Sequence, residues 1–213
     1  MSGRIRSLLY FAATLSCLTL MASTANSQVQ ITNASFEDPP QALNDNSLSI
    51  PGWSGTGTFG VWRPATGYFD VAPPDGLQVG WIDDGAIEQQ LTTMLEANMQ
   101  YSLQVDVGKR TDAKTGDVSI ELRAGNALLA STTLLQSTDQ MTGQFVTANV
   151  NYTAASNDPS LGSQLSIRIA KVGGNQTDFD NVRLNVVPAP SALLTLLVGA
   201  VPGAGLLLRR RRK

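Results

Sequence analysis

Alternation of apolar and polar residues with a period of two constrains the fold of this chain more than any other feature. It is clearest between residues 101 and 107, and it returns at 118–123, 146–152 and 165–169. The apolar positions of the first segment are Tyr101, Leu103, Val105 and Val107. Because successive side chains of a β-strand point to opposite faces, each segment predicts a strand with one buried face.

Short strands separated by turn residues predict an all-β fold. We expect about eight to ten strands in a two-sheet antiparallel β-sandwich, because one buried face per strand argues against a parallel α/β sheet. Asp83-Asp84-Gly85 has the composition of a tight turn and predicts a hairpin between the alternating segments 77–81 and 87–91.

The two ends of the chain predict export and membrane contact. Two arginines precede an apolar run over 8–22, and small residues lead to Ser27, which is typical of a cleaved signal peptide spanning 1–27. An uncleaved anchor is the alternative. At the other end, the uncharged segment 191–208 is long enough for a transmembrane helix, and the five cations of 209–213 would stay cytoplasmic. A buried core helix followed by a basic tail is the alternative there.

The tail 188–213 resembles the PEP-CTERM sorting signal of Gram-negative and related bacteria, in which a Pro-Glu-Pro motif precedes a membrane helix and an Arg-rich end. Here the motif is Pro188, Ala189 and Pro190, with Ala189 at the place of the usual Glu. The resemblance implies recognition by an exosortase-type processing enzyme. It also implies an inner-membrane anchor before processing, and then a place at the cell surface, in the outer envelope or in the extracellular matrix.

Charge and residue types exclude several functions for the predicted domain, residues 28–187. It contains all 17 Asp and Glu residues but only 8 of the 15 Lys and Arg residues, a net charge of −9 that repels nucleic acid. The chain has no histidine, and its one cysteine, Cys17, lies in the predicted signal peptide. His-based triads, Cys nucleophiles and the usual zinc sites are therefore excluded. We predict a protein that is not an enzyme; a carbohydrate-active enzyme working with carboxylates is the alternative.

Five short pieces occur in the order seen in galactose-binding-like jelly rolls, a group that includes many carbohydrate-binding modules. They are Asn33-Ala34-Ser35-Phe36-Glu37, Ile50-Pro51-Gly52-Trp53, Ile87-Glu88-Gln89-Gln90-Leu91, Tyr101-Ser102-Leu103 and Phe179-Asp180-Asn181-Val182. The resemblance implies a jelly-roll fold and non-catalytic binding of extracellular or envelope polysaccharide. A structural or adhesive matrix protein without a defined sugar ligand is the alternative.

Two acidic residues are candidates for a structural Ca²⁺ site. The resemblance places Glu37 and Asp180 at the positions that commonly hold calcium between the first and last strands, with backbone carbonyls completing the oxygen shell. Asp180 shares parity with Val182, Leu184 and Val186, so we expect the strand to turn its carboxylate inward. The alternative is that Asp180 only accepts backbone N–H bonds.

Aromatic residues are dense between 53 and 81, in segments rich in Gly and Pro. We expect Trp62 and Tyr68 to form a stacking platform for a sugar ring, with polar contact from Arg63. Trp53 is either a second binding residue or part of the core, and Trp81 continues an alternating row that predicts a core position. Arg110 either adds polar contacts to the ligand or belongs to a solvated loop.

Overall fold

The computed structural model describes residues 27–112 and 114–190, and every element in these ranges is a β-strand. The strands are β1 (Ser27–Gln28), β2 (Asn46–Ser47), β3 (Ser54–Trp62), β4 (Val79–Met94), β5 (Met99–Gly108), β6 (Gly116–Ala124), β7 (Ala127–Leu134), β8 (Phe145–Thr153), β9 (Gln164–Gly174) and β10 (Thr177–Pro188). The predicted signal peptide apart from Ser27, the predicted transmembrane helix and the basic end lie outside the described residues. Within those residues, no helix is long and apolar enough to cross a membrane.

The strands form an antiparallel β-sandwich of the jelly-roll type, as predicted. Neighbouring strands follow the order β7-β6-β9-β4-β10-β5-β8, and β3 lies along β4. The first part of β4 pairs with β10 at Gly80–Ile82, whereas its later part pairs with β9 from Ala86 onward. The same strand therefore belongs to both layers and carries the chain from one to the other.

The main core lies between the layers and is built from the faces that the period of two indicates. In β6, buried and half-buried residues alternate along the whole strand. The fully buried side chains include Tyr101, Leu103, Ile120, Leu122, Leu165, Ile167 and Phe179. Each large apolar side chain removed from water stabilises the fold by about 1.5–3 kcal/mol, so this face accounts for much of the folding free energy.

The predicted turn at residues 83–85 is wrong, because β4 runs without interruption from Val79 to Met94. Gly85 does have a positive φ of 82°, but so does Gly57, which lies opposite it on β3. A Cβ atom on Gly85 would come within 2.0 Å of the Thr56 carbonyl oxygen. Since β3 supplies hydrogen bonds along this stretch, the glycine lets two backbones approach closely and does not reverse the chain.

The predicted inward parity of Asp180 is also wrong. The register of β10 against β5 shifts between Asp180 and Arg183, and Asn181 has a φ of 54°. Phe179 and Leu184 are five positions apart, so a regular strand would place them on opposite faces. The bulge places both on the core side. Asp180 pairs with Asp106 instead, on the outer face of the layer, and the segment around Asp75 buries it there.

A second apolar cluster covers the outer face near the start of β4. Its buried members are Trp62, Phe69, Val79 and Trp81, and the half-buried rings of Tyr68 and Phe145 pack against them. Tyr68 and Phe69 come from the connection between β3 and β4, which folds back over the sheet. This outer cluster is separate from the main core, and it forms one wall of a cavity on the outer face.

Candidate active site

A cavity of about 270 Å³ opens on the outer face, where β3, β4 and β10 meet the connection between β3 and β4. It is lined by Asn44, Asn46, Trp62, Tyr68, Trp81, Asp83, Arg110, Lys114 and Gln176. Strand register brings the site residues together: Trp81 lies opposite Asp178 on β10 and opposite Gly60 on β3, and Trp62 is two residues along β3 from Gly60. Residues directly opposite in an antiparallel pair share one face, so these side chains converge although they come from distant parts of the chain.

Asp178 lies beneath the floor of the cavity and is fully buried. Its Oδ1 accepts a hydrogen bond of 2.7 Å from Gln176 Nε2, while its Oδ2 finds no partner among the described residues. Burial raises the pKa of Asp178 to about 7, although the charge of Arg110 and the Gln176 hydrogen bond act to lower it. A carboxyl group in this setting can hold a proton near neutral pH.

Arg110 links the aromatic wall to this acid. Its guanidinium carbon lies 4.6 Å from the centroid of the Trp62 ring and 4.7 Å from that of Tyr68, within the range of cation–π contacts. Its Nε donates to Asp112 Oδ1 at 2.9 Å, and its Nη1 donates to Gln176 Oε1 at 3.3 Å. The side chains of Asp112, Arg110, Gln176 and Asp178 thus form one hydrogen-bonded chain. Arg110 is 7% exposed, so the alternative of a solvated loop is wrong for it.

Trp62 and Tyr68 lie together at the cavity, as predicted, but they do not form an exposed platform. Their ring centroids are 4.9 Å apart at an interplanar angle of 77°, an edge-to-face contact. Trp62 is only 7% exposed because Phe69, Trp81 and Val79 pack around it in the outer cluster. It is therefore a wall of the cavity, and a ligand would meet it from within.

Two of the predicted ligand-binding residues lie elsewhere. Trp53 belongs to the main core, where its ring packs 5.7 Å from that of Phe36 and its Nε1 donates to the Thr32 carbonyl. Arg63 borders a separate hollow beside Leu43, and its Nη1 reaches the Gln41 carbonyl at 3.5 Å. The core alternative is therefore correct for Trp53, and Arg63 does not line the cavity, because proximity in sequence does not determine the face on which a side chain lies.

Trp81 is buried, as expected, but in the outer cluster and not in the main core. Its Nε1 has no hydrogen-bond partner among the described residues. Sequence reasoning missed this donor, and it missed Gln176 and Asp178 entirely. The pattern Asp178-Phe179-Asp180 held the missing indication, since a buried Phe between two acids places both carboxylates on the opposite face.

Glu37 and Asp180 lie near each other, as the resemblance implied. Glu37 Oε1 accepts from the backbone N–H groups of Leu77 and Gln78 at 2.7 and 2.6 Å. Asp180 is fully buried, and its Oδ2 accepts from the Asp75 N–H at 2.8 Å. Burial raises the pKa of Asp180 to about 8 against these backbone hydrogen bonds, and the charges of Asp75 and Glu37 raise it further.

The donor chemistry of this acidic pair fits calcium, which prefers hard oxygen ligands. A buried carboxylate beside two other acids gains from a cation, because the cation favours the charged form that burial opposes. Within 27–112 and 114–190, however, no group of three or more acidic, His or Cys side chains is arranged to hold a metal ion. Backbone carbonyls would have to supply the remaining ligands.

The chain is similar in sequence and in structure to known proteins. A family model described as HpiC1-like, HpiC1 cyclase, matches residues 27–185. The Stig cyclase Fisc from Fischerella sp. TAU, solved in complex with (3Z)-3-(1-methyl-2-pyrrolidinylidene)-3H-indole, is 27% identical. It covers 78% of this chain and 100% of its own, with a TM-score of 0.70. A cyclase from the same organism, in complex with 4-(1H-indol-3-yl)butan-2-one, is 27% identical over 76% of this chain and 98% of its own, with a TM-score of 0.69.

A more distant structure is the CBM22-1 xylan-binding domain from Paenibacillus barcinonensis Xyn10C. It is 16% identical, covers 79% of this chain and 99% of its own, and has a TM-score of 0.47. No curated protein matches the chain.

The match to a family of cyclases corrects the prediction that the chain is not an enzyme. That prediction depends on the lack of histidine in the chain and of cysteine in residues 28–187. The inference failed because acid catalysis needs neither residue. A carboxyl group whose pKa is raised by burial can serve as the proton donor.

Proposed function

Because the chain belongs to the HpiC1-like cyclase family, we propose that it is a cyclase that binds an aromatic substrate in the outer-face cavity and uses Asp178 as its proton donor. The observation that carries this proposal is the position of Asp178. It is fully buried beside the aromatic wall, with one carboxyl oxygen left without a partner in the described chain. A buried polar atom without a partner costs free energy, so it persists where a ligand can engage it.

The reaction we propose begins with transfer of the Asp178 proton to an unsaturated carbon or nitrogen of the substrate. The bond electrons of that group form the new bond to hydrogen, and a cationic centre is left behind. A π bond elsewhere in the substrate attacks this centre and closes the ring. Loss of a proton to the Asp178 carboxylate then restores the acid, so substrate and product have the same mass.

The neighbours of Asp178 suit both halves of this cycle. Gln176 donates a hydrogen bond to the carboxyl group and Arg110 adds positive charge, so the carboxylate formed after proton transfer is stabilised. The rings of Trp62 and Tyr68 hold the Arg110 guanidinium by cation–π contact, and so keep this positive charge near Asp178. The buried walls also exclude water, which would otherwise capture a cationic intermediate.

An indole-bearing molecule is the substrate class we propose. The support is the aromatic wall formed by Trp62, Tyr68 and Trp81, together with the indole compounds named in the two Fischerella complexes. Planar rings of this size pack edge-to-face or offset against aromatic side chains.

The test combines binding with turnover. The purified full-length protein is titrated with 4-(1H-indol-3-yl)butan-2-one by calorimetry, and a panel of alkenyl indoles is screened for isomers of unchanged mass. We expect binding and at least one cyclised product. Asp178→Asn should lower the rate at least a hundredfold, in keeping with the size of general acid catalysis, while leaving binding within a few fold. Asp83→Asn is the matched control, since Asp83 lies at the exposed rim. Equal loss of activity in both variants would contradict the role of Asp178.

We also propose that Glu37 and Asp180 hold a structural Ca²⁺ ion with the help of backbone carbonyls. The support is the nearness of the buried Asp180 carboxylate to the half-buried Glu37 and the exposed Asp75. The ion would tie the segment around Asp75 to β10, and so fix the strand that carries Asp178 two residues away. It would supply structural stability and take no part in proton transfer.

Glycan binding is a second candidate function, favoured by one observation. The cavity carries the side-chain amides of Asn44, Asn46 and Gln176 beside Trp62 and Tyr68, a combination that suits sugar hydroxyls and sugar faces. Titration with xylo- and galacto-oligosaccharides under the same conditions tests it. Saturable sugar binding without any indole binding would favour this candidate over the cyclase proposal.

A further inference from the structure

Two buried polar atoms without partners belong to residues that lie directly opposite each other in strand register, one lining the cavity and the other beneath it. Trp81 and Asp178 are direct partners in the β4–β10 register, so their side chains stand on one face about 4.5–5.5 Å apart at Cβ. Trp81 Nε1 and Asp178 Oδ2 are both buried and both lack a partner in residues 27–112 and 114–190. Trp81 is 7% exposed and Asp178 is fully buried. An indole N–H and a carboxyl oxygen, both without partners, therefore lie on the same face of the sheet.

On the other side of Asp178, its strand partner supplies no side-chain donor. Its partner there is Gly108 on β5, and the space that a side chain would occupy is bounded by the rings of Phe69 and Phe145. A Cβ on Gly108 would lie 2.9 Å from the Phe69 ring and 2.7 Å from the Phe145 ring. Gln176 is committed to Asp178 Oδ1 and to Arg110. Trp81 Nε1–H is thus the uncommitted donor beside the uncommitted carboxyl oxygen.

We propose that Trp81 Nε1–H and Asp178 Oδ2 together bind one oxygen atom of the substrate, so that the enzyme acts on a compound carrying a carbonyl or hydroxyl group. A carbonyl oxygen has two lone pairs, so it accepts one hydrogen bond from Trp81 Nε1–H and a second from the protonated Asp178 Oδ2. A substrate hydroxyl accepts from Trp81 Nε1–H and can donate to Asp178 Oδ2. Trp81 is then a binding residue that positions the substrate against Asp178. This inference rests on the proposed function, since it assigns a substrate class to the same cavity.

The test uses three probes that differ only in the oxygen. They are 4-(1H-indol-3-yl)butan-2-one, the corresponding alcohol 4-(1H-indol-3-yl)butan-2-ol, and 3-butylindole, which has no oxygen. A net hydrogen bond of ordinary strength changes affinity about five- to tenfold. We expect the wild type to bind the ketone, the alcohol or both about five- to tenfold more tightly than 3-butylindole. Trp81→Phe keeps a ring but removes the N–H, so it should reduce this preference to less than twofold.

Nuclear magnetic resonance of the wild type gives an independent readout that does not require a stable variant. The chain has three tryptophans, and Trp53 is an internal control because its Nε1 already donates to the Thr32 carbonyl at 3.1 Å. The Trp81 indole N–H resonance should shift downfield with the oxygen-bearing probe and not with 3-butylindole, while the Trp53 resonance stays in place.

The outcomes separate this inference from the proposed function. The inference is overturned if all three indoles bind the wild type with equal affinity, or if the Trp81 N–H resonance shifts equally with and without the oxygen. The cavity then remains an indole site. If none of the indoles binds, both proposals are overturned. If the oxygen preference is present but Asp178→Asn retains full activity, only the proton-donor role is lost.

Discussion

The contact between Arg110 and Trp62 allows the site to be tested without knowledge of the substrate. The Arg110 guanidinium carbon lies 4.6 Å from the Trp62 ring centroid, and both residues are 7% exposed. A cation–π contact contributes about 0.5–1 kcal/mol at an exposed site and about 2 kcal/mol when it is desolvated. Because this pair is buried, we expect a coupling energy of about 1–2 kcal/mol.

A double-mutant cycle measures this coupling. Arg110→Met retains the apolar stem and removes the charge, and Trp62→Leu removes the π system but keeps an apolar side chain. The free energy of unfolding is obtained from urea titrations of the wild type, the two single variants and the double variant. The control cycle pairs Arg110→Met with Trp53→Leu, because Trp53 belongs to the main core and not to the outer cluster.

For the control cycle, the loss of unfolding free energy in the double variant should equal the sum of the two single losses within about 0.5 kcal/mol. For the Arg110–Trp62 cycle, the loss in the double variant should be about 1–2 kcal/mol smaller than that sum. If the Arg110–Trp62 cycle is as additive as the control, the guanidinium does not stack on the ring in solution. The aromatic wall would then not hold the Arg110 charge near Asp178.

Three further predictions concern calcium, acid stability and processing. Chelation should lower the melting temperature of the protein, because an ion at a hundredfold excess over its Kd stabilises the fold by about 2.7 kcal/mol. Asp180→Asn should abolish the difference between the melting temperatures with and without chelator. An unchanged melting temperature at demonstrated metal depletion refutes the site. Burial acts to raise the pKa of Asp106, but hydrogen bonds from Arg183 and Thr147 outweigh it and lower the pKa. The decrease in the free energy of unfolding caused by Asp106→Asn should therefore be complete above about pH 4 and become smaller as the pH falls further. A decrease that does not depend on pH contradicts the pairing. If export and sorting occur as proposed, the intact mass of the native protein should show a start near Gln28 and loss of the tail after the 188–190 motif, whereas a secreted species retaining Met1 excludes a cleaved leader.

The sequence by itself determined the sandwich and most of its core. The alternation at Tyr101–Val107 and in β6 gave the correct inner faces, because side-chain direction in a strand follows from local backbone geometry alone. The resemblance to a known fold also placed Glu37 near Asp180, while their joint calcium site stays a prediction. The aromatic residues Trp62 and Tyr68 were correctly grouped because they are close in the chain.

Only the tertiary structure decided where the strands bend and which distant residues meet. Local turn chemistry at Asp83-Asp84-Gly85 was overridden because β3 pairs along that stretch, and the bulge at Asn181 reversed the parity of Asp180. The pairing of Trp81 with Asp178 depends on long-range register, which no local pattern encodes. The raised pKa of Asp178 likewise arises from burial beneath the outer cluster, which forms only when the connection between β3 and β4 packs onto the sheet. The chemistry of the site is therefore a property of strand register and desolvation, and residue type alone does not reveal it.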